Sequence, residues 1–106
     1  MPQKPDSNPP TNEMVSRIAV MLKAMGDPVR LRILYQLRQR ESSVSELVSA
    51  LGCSQANVSK HLAILKAADL VESRTEKQSR YYHVSDPVVD SVCDSVCSSI
   101  ERRRQM

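Results

Sequence analysis

Two groups of side chains in this 106-residue chain are of types and spacings that could do chemistry. The first lies in GCSQANVSKHLAILKAADLV, residues 52–71. Laid on a helical wheel of about 100° per residue, Gln55, Ala56, Ser59, Lys60 and Ala63 gather opposite Val58, Leu62 and Leu65. Its hydroxyls have no paired base and acid, so the polar side is one that touches a partner without transforming it. Shallow, hydrogen-bonding and cationic, it suits the major groove of DNA. There Gln can pair with a purine edge, Ala can touch a thymine methyl, and Ser and Lys can meet bases or phosphates. A solvated surface helix is the plainer reading. Against it stand Arg74, Lys77 and Arg80 just downstream, where a basic loop could reach the flanking backbone or minor groove.

The second group is the thiol pair of VCDSVC, Cys93 and Cys97, with Cys53 a minor third candidate in the turn before the polar face. Residues four apart on a helix have Cβ atoms roughly 5 to 6 Å apart, beyond the roughly 3.5 to 4.5 Å of a relaxed disulfide. A direct bond within one helix would be strained. As(III), a soft metal ion, a sulfur adduct or a bond across a dimer fits the spacing better. Two small buried hydrophobes in an apolar seam fit it as well. A thiol enzyme would need a lowered thiol pKa, and the cations of ERRR lie about two turns onward.

The elements that must position these residues can be read from caps and periodicity. Asn12 is the expected cap of a first helix bearing Met14, Ile18, Met21, Leu22 and Met25, which Gly26 stops. Asp27 and Pro28 open a second, with Val29, Leu31, Ile33, Leu34 and Leu37 apolar. Ser43 and Glu46 form a capping-box pattern for a short third helix ended by Gly52, and Ser54 caps a fourth running to about Ala68. Then LVESRT and RYYHV read as two strands of a hairpin across EKQS. A fifth helix starts at Asp86 and Pro87 and carries Val88, Val89, Val92, Val96 and Ile100. The expected architecture is mainly α with a small β-hairpin: a winged helix-turn-helix of five helices plus a two-stranded wing, dimeric.

Composition agrees with that reading. Three Tyr with no Trp or Phe leave an aliphatic core, which favours helices over a sheet sandwich. So small a helical domain often completes its core with a second copy. Residues 1–11, with four Pro, are expected to form a disordered N-terminal arm, and residues 12–106 the DNA-binding and dimerisation domain. An odd cysteine count and no secretory or membrane-spanning pattern point to reduced thiols and a cytoplasmic location, with no membrane partner.

Over residues 20–100, LKAMGDPVRLRILYQL, SQANVSKHLAILKAADLV and RYYHV together resemble the ArsR/SmtB family of bacterial transcriptional repressors. The resemblance implies a homodimer, one winged helix-turn-helix per subunit, that binds a partly palindromic operator and leaves it when a metal, metalloid or thiol-reactive signal arrives. By motif match it gives Gln55, Ala56, Ser59 and Lys60 the DNA-reading role. Ser54 at the cap, Asn57 on the flank within reach of phosphate, and Arg74, Lys77 and Arg80 of the wing complete the expected DNA-binding set, and no enzyme activity is expected. His61, at the edge of the core face, is read as a packed, hydrogen-bonding histidine.

The family's familiar inducer sites do not carry over. Metalloid-responsive members place Cys-x-Cys in the third helix, where this chain has Ser43, Val44 and Ser45. Zinc-responsive members draw ligands from the last helix, where Asp86 is present but Val88, Ser99 and Arg102 fill the other positions. Cys93 and Cys97 remain as candidate sensor thiols, and no cofactor is required. The alternative is a dimeric regulator without a cysteine sensor, constitutive or relieved by a partner protein.

Overall fold

The computed structural model describes residues 8–105; residues 1–7 and 106 lie outside the described residues. Most of the expected N-terminal arm falls there. Residues 8–11 are exposed and without helix or strand. The chain then runs α1 (Asn12–Met25), α2 (Pro28–Gln39), β1 (Ser42–Ser43), α3 (Val44–Leu51), α4 (Gln55–Ala67), β2 (Val71–Glu76), β3 (Ser79–Val84) and α5 (Val88–Arg104).

Local chemistry sets most of these boundaries. Asp27 caps α2 through Oδ2, which accepts from the backbone N–H of Val29 at 2.9 Å and of Arg30 at 3.1 Å. Those backbone donors, Arg30 first, hold the Asp27 carboxyl below its ordinary range. Ser43 and Glu46 complete a reciprocal capping box at the start of α3, and Gly52 ends that helix at φ 71°, a conformation that suits glycine. Ser54 Oγ accepts from Asn57 N–H at 3.1 Å and starts α4. Asp86 Oδ1 takes the Val88 N–H at 2.9 Å, with Pro87 already helical at φ −61° ahead of the regular span of α5.

Two expectations need correction. The cap of α1 is Thr11, not Asn12: the extended Thr11 backbone lets Oγ1 accept from Met14 N–H at 3.1 Å, and Asn12 is already helical. The wing hairpin also gains a strand. Ser42 and Ser43 pair antiparallel with Tyr82 and Tyr81, giving a three-stranded sheet of order β1-β3-β2. Two serines have no alternation to announce a strand. Ser42 is nevertheless fully buried, and its hydroxyl donates to Arg40 O.

The core sits where α2, α3, α4 and the base of the sheet meet. Ile33, Leu34, Leu47, Val58, Leu62, Leu65, Leu70, Val71 and Val89 are all fully buried. From α1, Ala24 and Met25 join them, whereas Met14, Ile18 and Leu22 stay exposed. Leu31, expected on the apolar stripe of α2, is exposed too. Along α5 Val89 is buried, but Val96 and Ile100 are 53% and 52% exposed. Apolar residues of α1, α2 and α5 thus line an open groove of about 870 Å³.

One ion-pair clamp fixes the first half of α5. Arg38 of α2 donates from Nε to Asp90 at 2.6 Å and from Nη2 to Asp94 at 2.7 Å. The bonds to Asp94 and then Asp90 raise its already high pKa further.

Removing part of the α4 stripe should show how tightly this core is closed. Leu62→Ala is expected to lower unfolding free energy by about 2 to 5 kcal/mol in urea denaturation, through lost transfer energy plus a residual cavity. A loss under about 1 kcal/mol would mean that the site collapses freely around the smaller side chain.

Candidate nucleic-acid interface and thiol pair

Helix α4 has two chemically opposed sides. Val58, Leu62 and Leu65 are fully buried, and Ser54, Gln55, Ala56, Ser59, Lys60 and Ala63 are exposed at its start and along the opposite side. Asn57 is half-buried on the flank. The docking of the apolar stripe is what turns the polar side outward, because a rigid helix cannot bury one without presenting the other. α3, the Gly52 turn and α4 form the helix-turn-helix unit, and α4 packs against α1, α2, α3 and β2.

The hairpin follows α4 directly, with Asp69 at φ 61° in the connection. Lys66 Nζ donates to Ser73 Oγ at 3.1 Å and ties the end of α4 to β2. Lys77 occupies the turn at φ 57°, and Lys77 and Arg80 are exposed with no ion pair among the described residues.

Arg74 stands apart from them. Its Nε donates to Glu41 Oε2 at 2.9 Å, its Nη1 to Glu76 at 3.0 Å, and its guanidinium lies 5.3 Å from the centre of the Tyr81 ring. Its pKa is raised by the Glu41 bond first and then by Glu76. The same contact holds the Glu41 carboxyl below its ordinary range. Arg74 therefore braces the sheet against the chain between α2 and β1, whereas Lys77 and Arg80 project from it. Glu41 was invisible to sequence reasoning because it meets Arg74 across 33 residues. Only the strand register brings them together.

His61 is 9% exposed, packed as expected, and its Nδ1 lies 3.2 Å from Arg30 Nη1. His83 Nδ1 is buried without a hydrogen bond, 3.7 Å from Glu41 Oε2.

The three cysteines are free. Cys93 is half-buried and Cys97 exposed, and both line the groove between α2 and α5. Cys53 is half-buried at the α3–α4 turn, its thiol directed at Leu51 O, and does not line that groove. Among the described residues no cluster of three or more His, Cys, Asp or Glu side chains is placed to hold a metal ion. None of their helices is long and apolar enough to cross a membrane.

This architecture, a helix-turn-helix followed by a hairpin wing, defines a winged helix-turn-helix protein. The model of the bacterial regulatory protein arsR family matches residues 27–73, from the cap of α2 into β2. The transcriptional activator HlyU of Vibrio cholerae is 43% identical over 74 residues, 70% of this chain and 68% of HlyU. The chain belongs to the arsR family of bacterial regulatory proteins.

The HTH-type transcriptional repressor SmtB of Mycobacterium tuberculosis is 40% identical over 78 residues, 74% of this chain. The match spans 58% of the length of SmtB. In three dimensions the HlyU structure superposes with a TM-score of 0.74 at 37% identity, covering 81% of this chain and 94% of HlyU. The homodimeric winged helix-turn-helix DNA-binding domain Mb0332 of Mycobacterium bovis gives a TM-score of 0.80 at 28% identity, over 88% of this chain and 86% of that domain.

Proposed function

We propose that this protein is a homodimeric, sequence-specific DNA-binding repressor of transcription, not an enzyme, that reads its operator through α4 and is released by a thiol-reactive signal at Cys93 and Cys97. The observation that carries the DNA reading is the exposed Gln55, Ala56, Ser59 and Lys60 face, opposite a fully buried Val58, Leu62 and Leu65 stripe and beside the cationic wing. Ser54 and Asn57 flank that face at the helix start, where backbone N–H groups favour phosphate. Lys77 and Arg80 reach the neighbouring backbone, and Arg74 keeps the wing in place for them. SmtB is named a repressor and Mb0332 a DNA-binding domain, which supports the class; HlyU is named an activator.

Dimerisation follows from what one protomer leaves uncovered. Met14, Ile18 and Leu22 of α1 and Val96 and Ile100 of α5 are exposed. A second copy covering them places two reading helices about one turn of DNA apart, as a partly palindromic operator demands. Mb0332 is described as homodimeric.

Cys93 and Cys97 lie at this same seam, so a soft thiophile such as As(III), a soft metal ion or a sulfur adduct binding there changes the packing of α5. The ligand acts only by the difference in its affinity for the DNA-competent and DNA-released arrangements, and a coupling of a few kcal/mol suffices. The apolar lining of the groove favours a second reading, in which both thiols are small hydrophobes of the dimer seam and repression is constitutive or relieved by a partner protein.

Three measurements test these statements. Gln55→Ala is expected to lose sequence preference by about 1 to 3 kcal/mol, whereas Lys77→Ala weakens binding to all duplexes and flattens the salt slope by about one unit. Unchanged binding in both variants would remove α4 and the wing from the interface. Wild-type protein at micromolar concentration is expected to sediment at twice the chain mass and Val96→Glu to shift toward monomer with weaker DNA binding. A wild-type monomer that binds a palindromic site tightly contradicts the dimer. Finally, arsenite and polysulfide are each titrated into the wild-type DNA complex and into its Cys93→Ser, Cys97→Ser and Cys53→Ser counterparts. Release should occur in wild type and fail in the first two. Release undiminished in both excludes the pair, no wild-type release favours the sensor-free reading, and loss only in Cys53→Ser moves the sensor to the turn.

A further inference from the structure

The hydrophobic stripe that docks α4 sets which side of the helix faces outward but leaves small rotations about the helix axis undirected. Contacts of Val58, Leu62 and Leu65 with the core are non-directional. A turn of α4 by about 20° would sweep side chains at a radius of about 5 to 6 Å through about 2 Å. Hydrogen bonds to base edges tolerate only a few tenths of an ångström. A reading helix therefore needs a directional tether, and among the described residues two side chains of α4 hydrogen-bond to the rest of the fold. Lys66 to Ser73 is one, exposed at the C-terminal end. The other, at mid-helix and buried, is His61.

The partner of His61 is itself fixed from several directions. Arg30 Nε donates to Ala24 O at 2.6 Å in the last turn of α1, and Nη2 donates to Lys23 O at 3.3 Å, a carbonyl that also accepts the capping Gly26 N–H at 3.2 Å. Its backbone N–H goes to the Asp27 cap at 3.1 Å. One guanidinium thus joins the end of α1, the start of α2 and the middle of α4. Because guanidinium has donors only, Arg30 Nη1 donates and His61 Nδ1 accepts, which puts the imidazole proton on Nε2. Asp27 Oδ2, 3.9 Å from Nδ1, is beyond hydrogen-bond reach and adds only its charge.

We infer that Arg30 and His61 are positioning residues for DNA recognition: their bond sets the rotation of α4 and so the aim of Gln55 and Ser59 at base edges. This rests on the DNA-binding reading above. It assigns His61 a part in selectivity without contact with DNA, and it separates selectivity from affinity, because cations at the wing act on phosphates whatever the rotation of α4.

The test uses the full chain with His61→Leu, which keeps an apolar, buried side chain but has no acceptor, and His61→Gln, whose side-chain oxygen can accept from Arg30. Arg30→Lys is a third variant, with the charge kept and the fork lost. Two probes are a duplex selected from a randomised pool by the wild-type protein and the alternating polymer poly(dI-dC). Amide hydrogen exchange of α4 without DNA is the second readout. His61→Leu and Arg30→Lys are expected to bind poly(dI-dC) as wild type does and to lose about ten-fold or more on the selected duplex, with faster exchange along α4. His61→Gln should restore both.

Wild-type affinity for the selected duplex in His61→Leu, or equal loss on both probes without rescue by Gln, overturns the inference. Should the pool yield no selected duplex, the DNA-binding reading fails. The exchange data then decide the tether alone: faster α4 exchange reversed by Gln supports it and unchanged exchange overturns it. Should His61→Leu not fold, Arg30→Lys carries the same two outcomes.

Discussion

The burial of one stripe of α4 is the constraint on which the rest of the molecule depends. Val58, Leu62 and Leu65 reach zero exposure within one buried cluster that also holds Ile33 and Leu34 of α2 and Leu47 of α3. Each such side chain contributes roughly 1.5 to 3 kcal/mol, and a domain of this size has few to spend. Once the stripe is inside, the outward face of α4, the angle of the Gly52 turn and the starting point of the wing are no longer independent. The polar residues of α4 owe their placement to leucines and a valine on the other side of the helix.

Much of this was legible because it is local. Asp27 with Pro28, Ser43 with Glu46, Gly52 and Ser54 each announce a helix end within three residues of the group they serve, and each behaves as its type indicates. The period of the apolar residues in α4 fixes which face turns outward, and hence where the candidate interface lies. Features that escaped are those whose partners are remote. Arg30 meets His61 across 31 residues, Arg74 meets Glu41 across 33, and Arg38 meets Asp90 across 52. Ser42 joins a sheet that exists only once β3 has arrived. Charged residues look alike on a helical wheel whether they brace the fold or face a partner. Only the assembled structure separates Arg74, engaged with two carboxylates, from Lys77 and Arg80, which have none among the described residues.

Polar and apolar contacts are divided unevenly along α5. Its first half is held by the buried Val89 and by Arg38 gripping Asp90 and Asp94; the second half offers Val96 and Ile100 to whatever lies beside it. Cys93 and Cys97 occupy the transition between the two. The helix thus has one end anchored to α2 by directional charge pairs, whereas among the described residues the ion pair of its other end, Arg104 with Glu101, lies within α5 itself.

The wing carries a gradient of its own. At its base Val71 is fully buried and paired with Val84; from Arg74 onward β2 is exposed, and the turn is closed by a lysine at positive φ, where glycine would sit without strain. Pairing that is strongest at the base and strained at the tip zips from the base and frays from the tip. Local opening of the last few ladder bonds therefore needs far less free energy than unfolding the domain. The cations at the end of the hairpin can sample a range of positions while the strand register below them stays fixed.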